Sequence, residues 1–111
     1  MFTATPEQIA KWKKEHGEVF ALEGGKTITG KGKDPKFSID KRAYVKKPDR
    51  KVISMAGTLG EGDHIATAEA ILDAIWLDGD EEIRTEDEYF LSVKNQINNL
   101  IELKEVQLKK L

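Results

Sequence analysis

Residues 76–90 read WLDGDEEIRTEDEYF, and the reading of this stretch decides whether the second half of the chain is helix throughout. Seven carboxylates crowd into it: Asp78, Asp80, Glu81, Glu82, Glu86, Asp87 and Glu88. Acids spaced around a glycine suggest a calcium loop, and register is the first test. With Ile83 at the hydrophobic eighth position of an EF-hand loop, Asp78, Asp80 and Asp87 fall third, fifth and twelfth. Trp76 then stands where the first acidic ligand belongs, and Glu81 where the loop needs its glycine. The helical reading fits better. Gly79 stops one helix, and Thr85 with Glu88 three residues later forms a capping-box pattern for the next. Glu86, Asp87 and Glu88 load its first turn with the charge that the helix dipole favours. The stretch is expected to be a solvated acidic turn between two helices, with a divalent-ion site as the weaker alternative.

Working outward, Asp63 caps a helix in which Ile65, Ala68, Ile71 or Leu72, Ile75 and Trp76 recur at i+3/i+4. On the other side, Tyr89, Phe90, Val93, Ile97, Leu100 and Ile101 mark a long C-terminal helix. It runs into KEVQLKKL, whose lysines suit the negative end of a helix dipole. Upstream, Pro48 is expected to open a helix carrying Val52, Ile53, Met55, Ala56 and Leu59, which Gly60 and Gly62 end. Before it come two strand-like stretches, EVFALEG at 18–24 and FSIDKRAYVKK at 37–47. Gly24, Gly25, Gly30, Gly32 and Pro35 break the segment between them, where Thr27, Ile28 and Thr29 suggest a short third strand. The N-terminus opens with a capping box at Thr5 and Gln8, Pro6 in the first turn, Ile9 and Trp12 at helical spacing, and a stop at Gly17. The expected fold is α+β: a short N-terminal helix (1–17), a small antiparallel hairpin or meander (18–47), then three helices (48–111). Segregated strands and helices argue against parallel βαβ units.

The totals agree with one globular domain over residues 1–111. That length buries one core but not two. Hydrophobic residues at 39% and a net charge of −2 keep the chain outside the disordered regime. Cysteine is absent, so disulfides, thiol nucleophiles and thiolate metal sites are excluded. The first residues, MFTATPEQIAKWKKEHG, contain no apolar core of a signal peptide, and no apolar run approaches a membrane span. A cytoplasmic protein with no membrane partner is expected.

Charge is distributed unevenly. Residues 1–60 carry 13 Lys/Arg against 7 Asp/Glu, whereas residues 61–111 carry 5 against 13. Such asymmetry favours a charged partner, self-association, or mutual neutralisation of the halves within one fold. The basic stretch from Lys26 to Lys51 holds ten Lys/Arg, including Lys31, Lys33, Lys41, Arg42, Lys46, Lys47 and Arg50, with Phe37 and Tyr44 interleaved. Phosphate contact makes nucleic-acid binding the alternative function. A whole-chain pI of about 5.7 and the absence of a nucleic-acid motif weigh against it.

Catalytic chemistry finds no support. GGKT (24–27) resembles the end of a Walker A loop, but Phe20 stands where its first glycine belongs and no helix is expected after Thr27. His16 and His64 are far apart in sequence, and Ser38, Ser54 and Ser92 lie in no nucleophile motif. The reading is a non-enzyme with no cofactor and no metal.

Two segments, AYVKKPDRKVISMA (43–56) and ILDAIWLDGDEEIRTEDEYFL (71–91), with the tail ELKEVQLKKL, resemble small proteins of phage and prophage tail-gene modules, of the tail-assembly-chaperone type. There a strand ends in a KPDR-like turn that leads into a helix, and a later helix ends in a tryptophan and an acidic GGDEE-like turn. The resemblance covers residues 43–111. It implies a non-enzymatic assembly factor that binds a tape-measure protein, keeps its apolar helices in solution and helps recruit tail-tube subunits. On that reading the partner-binding residues are Asp78, Asp80, Glu81, Glu82 and Glu86 on the acidic side and Lys41, Arg42, Lys46, Lys47 and Arg50 on the basic side. The acidic turn of one copy would then meet the basic region of another.

Overall fold

The computed structural model describes residues 1–28, 32, 34–100 and 106–111. Its first element follows directly from local chemistry. The Thr5 hydroxyl accepts from the Gln8 amide at 3.2 Å, and the Thr5 amide donates back to the Gln8 side chain at 3.1 Å. This reciprocal cap starts α1 (Pro6–His16), and Gly17, at φ 83°, ends it.

Two long strands follow, β1 (Val19–Ile28) and β2 (Lys36–Lys46), paired antiparallel. The register places Leu22 opposite Ala43 and Phe20 opposite Val45, so these four side chains share one face. Ala43 and Val45 are fully buried there, against the helices that follow. Tyr44 points to the other face. It meets Phe2 edge-on at 6.0 Å and Trp12 at 5.6 Å, and its hydroxyl accepts from the Ala4 amide at 3.3 Å. The sheet therefore has α1 and the N-terminal segment on one side and the main core on the other.

The expected break at Gly24 and Gly25 does not occur. The register shifts by a bulge between these residues, and β1 continues through Thr27 and Ile28. Those residues extend β1 rather than forming a third strand, and Thr29 lies outside the described residues. Glycine at position 24 has a packing reason. A Cβ on Gly24 would lie 2.6 Å from the Tyr89 ring, which packs on the bare backbone.

Pro48 is buried just ahead of the next helix and does not open it. Asp49 is the N-cap, accepting from the Val52 amide at 2.9 Å, and α2 (Arg50–Gly60) begins one residue later. After a tight turn, Asp63 accepts from the Ile65 and Ala66 amides and starts α3 (His64–Ile75). Ala68, Ile71, Leu72 and Ile75 enter the core, as their spacing requires.

The opening stretch departs most from its helical reading. The α3 helix ends at Ile75 rather than Gly79, and Trp76 turns extended (φ −64°, ψ 126°). Residues Trp76–Gly79 form β3, antiparallel to β2, giving the sheet order β1-β2-β3. Gly79 is required by close approach, because a Cβ there would clash with the Ala43 backbone. A one-turn helix, α4 (Glu82–Thr85), buries Ile83, and α5 (Asp87–Leu100) follows. Thr85 does not cap α5. Its hydroxyl donates to the Glu81 carbonyl at 3.1 Å, and the Glu86 carbonyl takes the first amides, from Tyr89 and Phe90.

Phe90, Val93, Ile97 and Leu100 of α5 complete the core. Residues 101–105, which include Ile101 and Lys104, lie outside the described residues, and Lys109 and Lys110 lie in 106–111, which is not helical. The architecture is α+β, as the pattern predicts. The region 48–111, however, contains a strand and a short helix in addition to its three longer helices.

Candidate functional site

The acidic stretch folds as a joint, and Asp80 is its fastener. One carboxylate oxygen accepts from both the Arg42 amide and the Phe2 amide, each at 2.9 Å. The Asp80 amide donates in return to the Arg42 carbonyl at 2.8 Å. This side chain extends the β2–β3 pairing by one step and ties the N-terminal segment to it. Donation from the Phe2 amide, reinforced by the Arg42 amide, holds the Asp80 carboxyl below its ordinary pKa against the opposing effect of burial.

The other acids mostly find partners nearby. Glu82 lies 3.7 Å from the Lys41 ammonium. Glu81 receives two bonds from the Arg84 guanidinium, at 2.7 and 3.0 Å, and its pKa is lowered chiefly by them. Asp78 accepts from the Gly79 amide at 2.8 Å. Arg84 also stacks over Trp76 at 4.3 Å and reaches Asp73 at 3.4 Å, so it links α3, β3 and α4. Glu86 begins α5 through its backbone.

On the basic side, Arg42 donates to Glu23 at 2.9 Å across the β1–β2 pair, the main reason its pKa is raised. Lys47 lies 3.9 Å from Glu18. Lys46 ends β2 half-buried, and Arg50 opens α2 exposed, away from the acidic joint in sequence and element. Lys31 and Lys33 lie outside the described residues. The structure therefore brings Lys41 and Arg42 to Asp80 and Glu82 inside one chain and leaves Lys46, Lys47 and Arg50 at the far end of β2. Among the described residues, no three His, Asp or Glu side chains converge as a metal would require. GGKT lies within β1, with strand rather than helix around it.

Two surfaces escaped the sequence reading. The first is on α2, which packs on α3 through Ala56 and Gly60 while Ile53, Met55 and Leu59 face solvent, Leu59 at 65% exposure. Ile65, in the first turn of α3, is exposed as well. A helix whose apolar arc is wider than its one neighbour leaves apolar flanks uncovered. The signal was present in the sequence, since Met55 and Leu59 are one turn apart. It reads as core until the packing shows Ala56 and Gly60 as the helix's buried residues, with Val52 only partly covered.

The second is a groove of about 400 Å³ between β1 and α5. Leu22, Ile83 and Val93 line its depth, Phe37 and Tyr89 flank it, and Glu23, Asp40, Glu88 and Lys26 supply its charges. The Tyr89 hydroxyl donates to Asp40 at 3.0 Å, and burial with this bond raises the tyrosine pKa. No helix among the described residues is long and apolar enough to cross a membrane. The chain matches no protein-family model, no curated protein and no solved structure.

Proposed function

We infer that the chain is a non-enzymatic assembly factor of the tail-assembly-chaperone kind, acting in the cytoplasm by holding an apolar helix of a partner protein. The observation that carries this reading is the flank of α2 where Met55 and Leu59, one turn apart, stand uncovered, with Ile53 exposed on the other side of the buried Ala56 and Gly60. Helix-in-groove and helix-on-helix recognition use such a stripe, with anchors one turn apart, to cover an apolar partner helix. The resemblance of residues 43–56 and 71–91 to tail-assembly proteins supports the same class and names the partner's chemistry: a long helical tape-measure-like protein. The ion pairs at the acidic joint support a narrower role for those charges. Lys41 and Glu82 meet in cis, so the joint holds β2, β3 and α4 together and the apolar face is left as the docking element.

The test is co-expression with a tape-measure-like helical protein encoded beside this chain. The expected result is that the partner stays in solution with this chain and precipitates with a Met55→Lys, Leu59→Lys variant. Equal solubility of the partner with and without this chain would overturn the reading.

A further inference from the structure

The groove between β1 and α5 has the form of a peptide site. Leu22, Ile83 and Val93 form its apolar floor, and the outer edge of β1 beside it pairs with no other strand among the described residues. An unpaired strand edge beside a helix is a template for an extended segment, which gains backbone hydrogen bonds from the strand and side-chain pockets from the helix. Residues 22–26 of β1 span about 13 Å at ~3.3 Å per residue. Residues 88–96 of α5 span about 12 Å at ~1.5 Å per residue. The two walls match in length and admit about four extended residues.

The same chain carries a segment of suitable chemistry. Val106, Leu108 and Leu111 are 90%, 102% and 108% exposed, so their side chains stand clear of their own chain. In an extended VQLKKL, Val106, Leu108 and Lys110 fall on one face, while Gln107, Lys109 and Leu111 fall on the other. Residues 106–111 carry two lysines and no acid. The groove carries Glu23, Asp40 and Glu88 against the single Lys26.

We propose that residues 106–111 of one copy of this chain dock as an extended strand in the β1–α5 groove of a second copy. Val106 and Leu108 lie on the floor of Leu22, Ile83 and Val93, covering Phe37, which is 54% exposed in one chain alone. Lys110, on the same face as the two anchors, meets Glu88 and Asp40 at the rim, while Lys109 points to the opposite face. Because the groove and the tail are separate surfaces on the same chain, the contact is head-to-tail and repeats from copy to copy. It leaves the α2 face open, so it does not rest on the function proposed above.

Sedimentation of the full chain, a chain lacking residues 106–111, Leu108→Asp and Phe37→Ala tests this. The full chain is expected to gain mass with concentration, with the deletion and Leu108→Asp weakening association about tenfold or more by removing buried apolar contact. Glu88→Lys is expected to weaken it, and combination with Lys110→Glu to restore it. A VQLKKL peptide added to the isotopically labelled, tail-deleted chain is expected to shift amides of residues 22–26 and 88–96, which decides the matter even where Phe37→Ala impairs folding. The same concentration dependence with and without the tail would overturn the proposal. So would peptide shifts confined to α2, or a full chain that stays monomeric with its own tail protecting the groove.

Discussion

Asp80 shows how much one carboxylate can organise. It accepts two backbone amides from segments 78 and 38 positions away in sequence, and charge-assisted bonds of this kind contribute about 1.5–3 kcal/mol each. Asp80→Ala is expected to lower stability by roughly 2–3 kcal/mol, read from the urea midpoint at unchanged slope. The pH dependence has a definite sign. The folded pKa of Asp80 is depressed below the unfolded value of about 3.9, so its contribution is complete above that pH. It is lost as pH falls through the lower, folded value. The stability gap between wild type and Asp80→Asn should therefore narrow below about pH 4; a gap unchanged from pH 6 into that acid range would contradict this account. Tyr89 on Gly24 is the second contact at this scale. Gly24→Ala forces the ring to move and is expected to cost about 1–3 kcal/mol. In a Tyr89→Ala background the same change should cost less, a coupling that a double-mutant cycle measures.

At the scale of elements, caps and periods were legible and the path of the chain after α3 was not. Thr5 with Gln8, Asp63, and the spacing of Phe90, Val93, Ile97 and Leu100 act within one or two turns, so local chemistry determines them. Thr5→Ala is expected to cost about 1 kcal/mol, as loss of an N-cap does. Trp76 and Leu77 continue the apolar period of α3 and read as its last turn. They leave the helix because the edge of β2 pairs with Trp76, Asp78 and Gly79, and Gly79 lets the strands approach. Gly79→Ala is thus expected to cost about 1–3 kcal/mol or more by overpacking against Ala43, with the loss seen as faster hydrogen exchange of residues 76–80. Thr85 failed as a cap for a similar reason. The α4 turn that buries Ile83 claims its hydroxyl first.

At the scale of the molecule, the uneven charge resolves partly within the chain. Lys41–Glu82 joins the basic first half to the acidic second half, while Glu23–Arg42 and Glu81–Arg84 pair charges within each half. Exposed pairs of this kind contribute little to stability and weaken with salt. Reversing Glu81, Glu82 and Glu86 to lysine is therefore expected to lower stability modestly, more so in low salt than in high. The α2 face behaves oppositely. Ile53, Met55 and Leu59 are exposed, so changing Met55 and Leu59 to lysine should alter stability by no more than about 0.5 kcal/mol while removing partner capture. A large loss of stability in that variant would place the face inside the fold's own packing instead.

What the sequence determined by itself was local: helix starts at Thr5 and Asp63, the strand period of β2, the helix faces of α3 and α5, and the α+β class. Each rests on interactions between residues a few positions apart, which amino-acid order alone specifies. The tertiary structure decided everything that needs two distant segments. It took Trp76–Gly79 out of the helix and onto β2, and it turned Asp80 from one acid of seven into a clamp on Phe2 and Arg42. It also left α2 half-covered, because Ala56 and Gly60 are its buried residues and Val52 only partly packs on the core. Those outcomes depend on which surfaces remain unpaired once the rest of the chain has packed, and no local pattern encodes that.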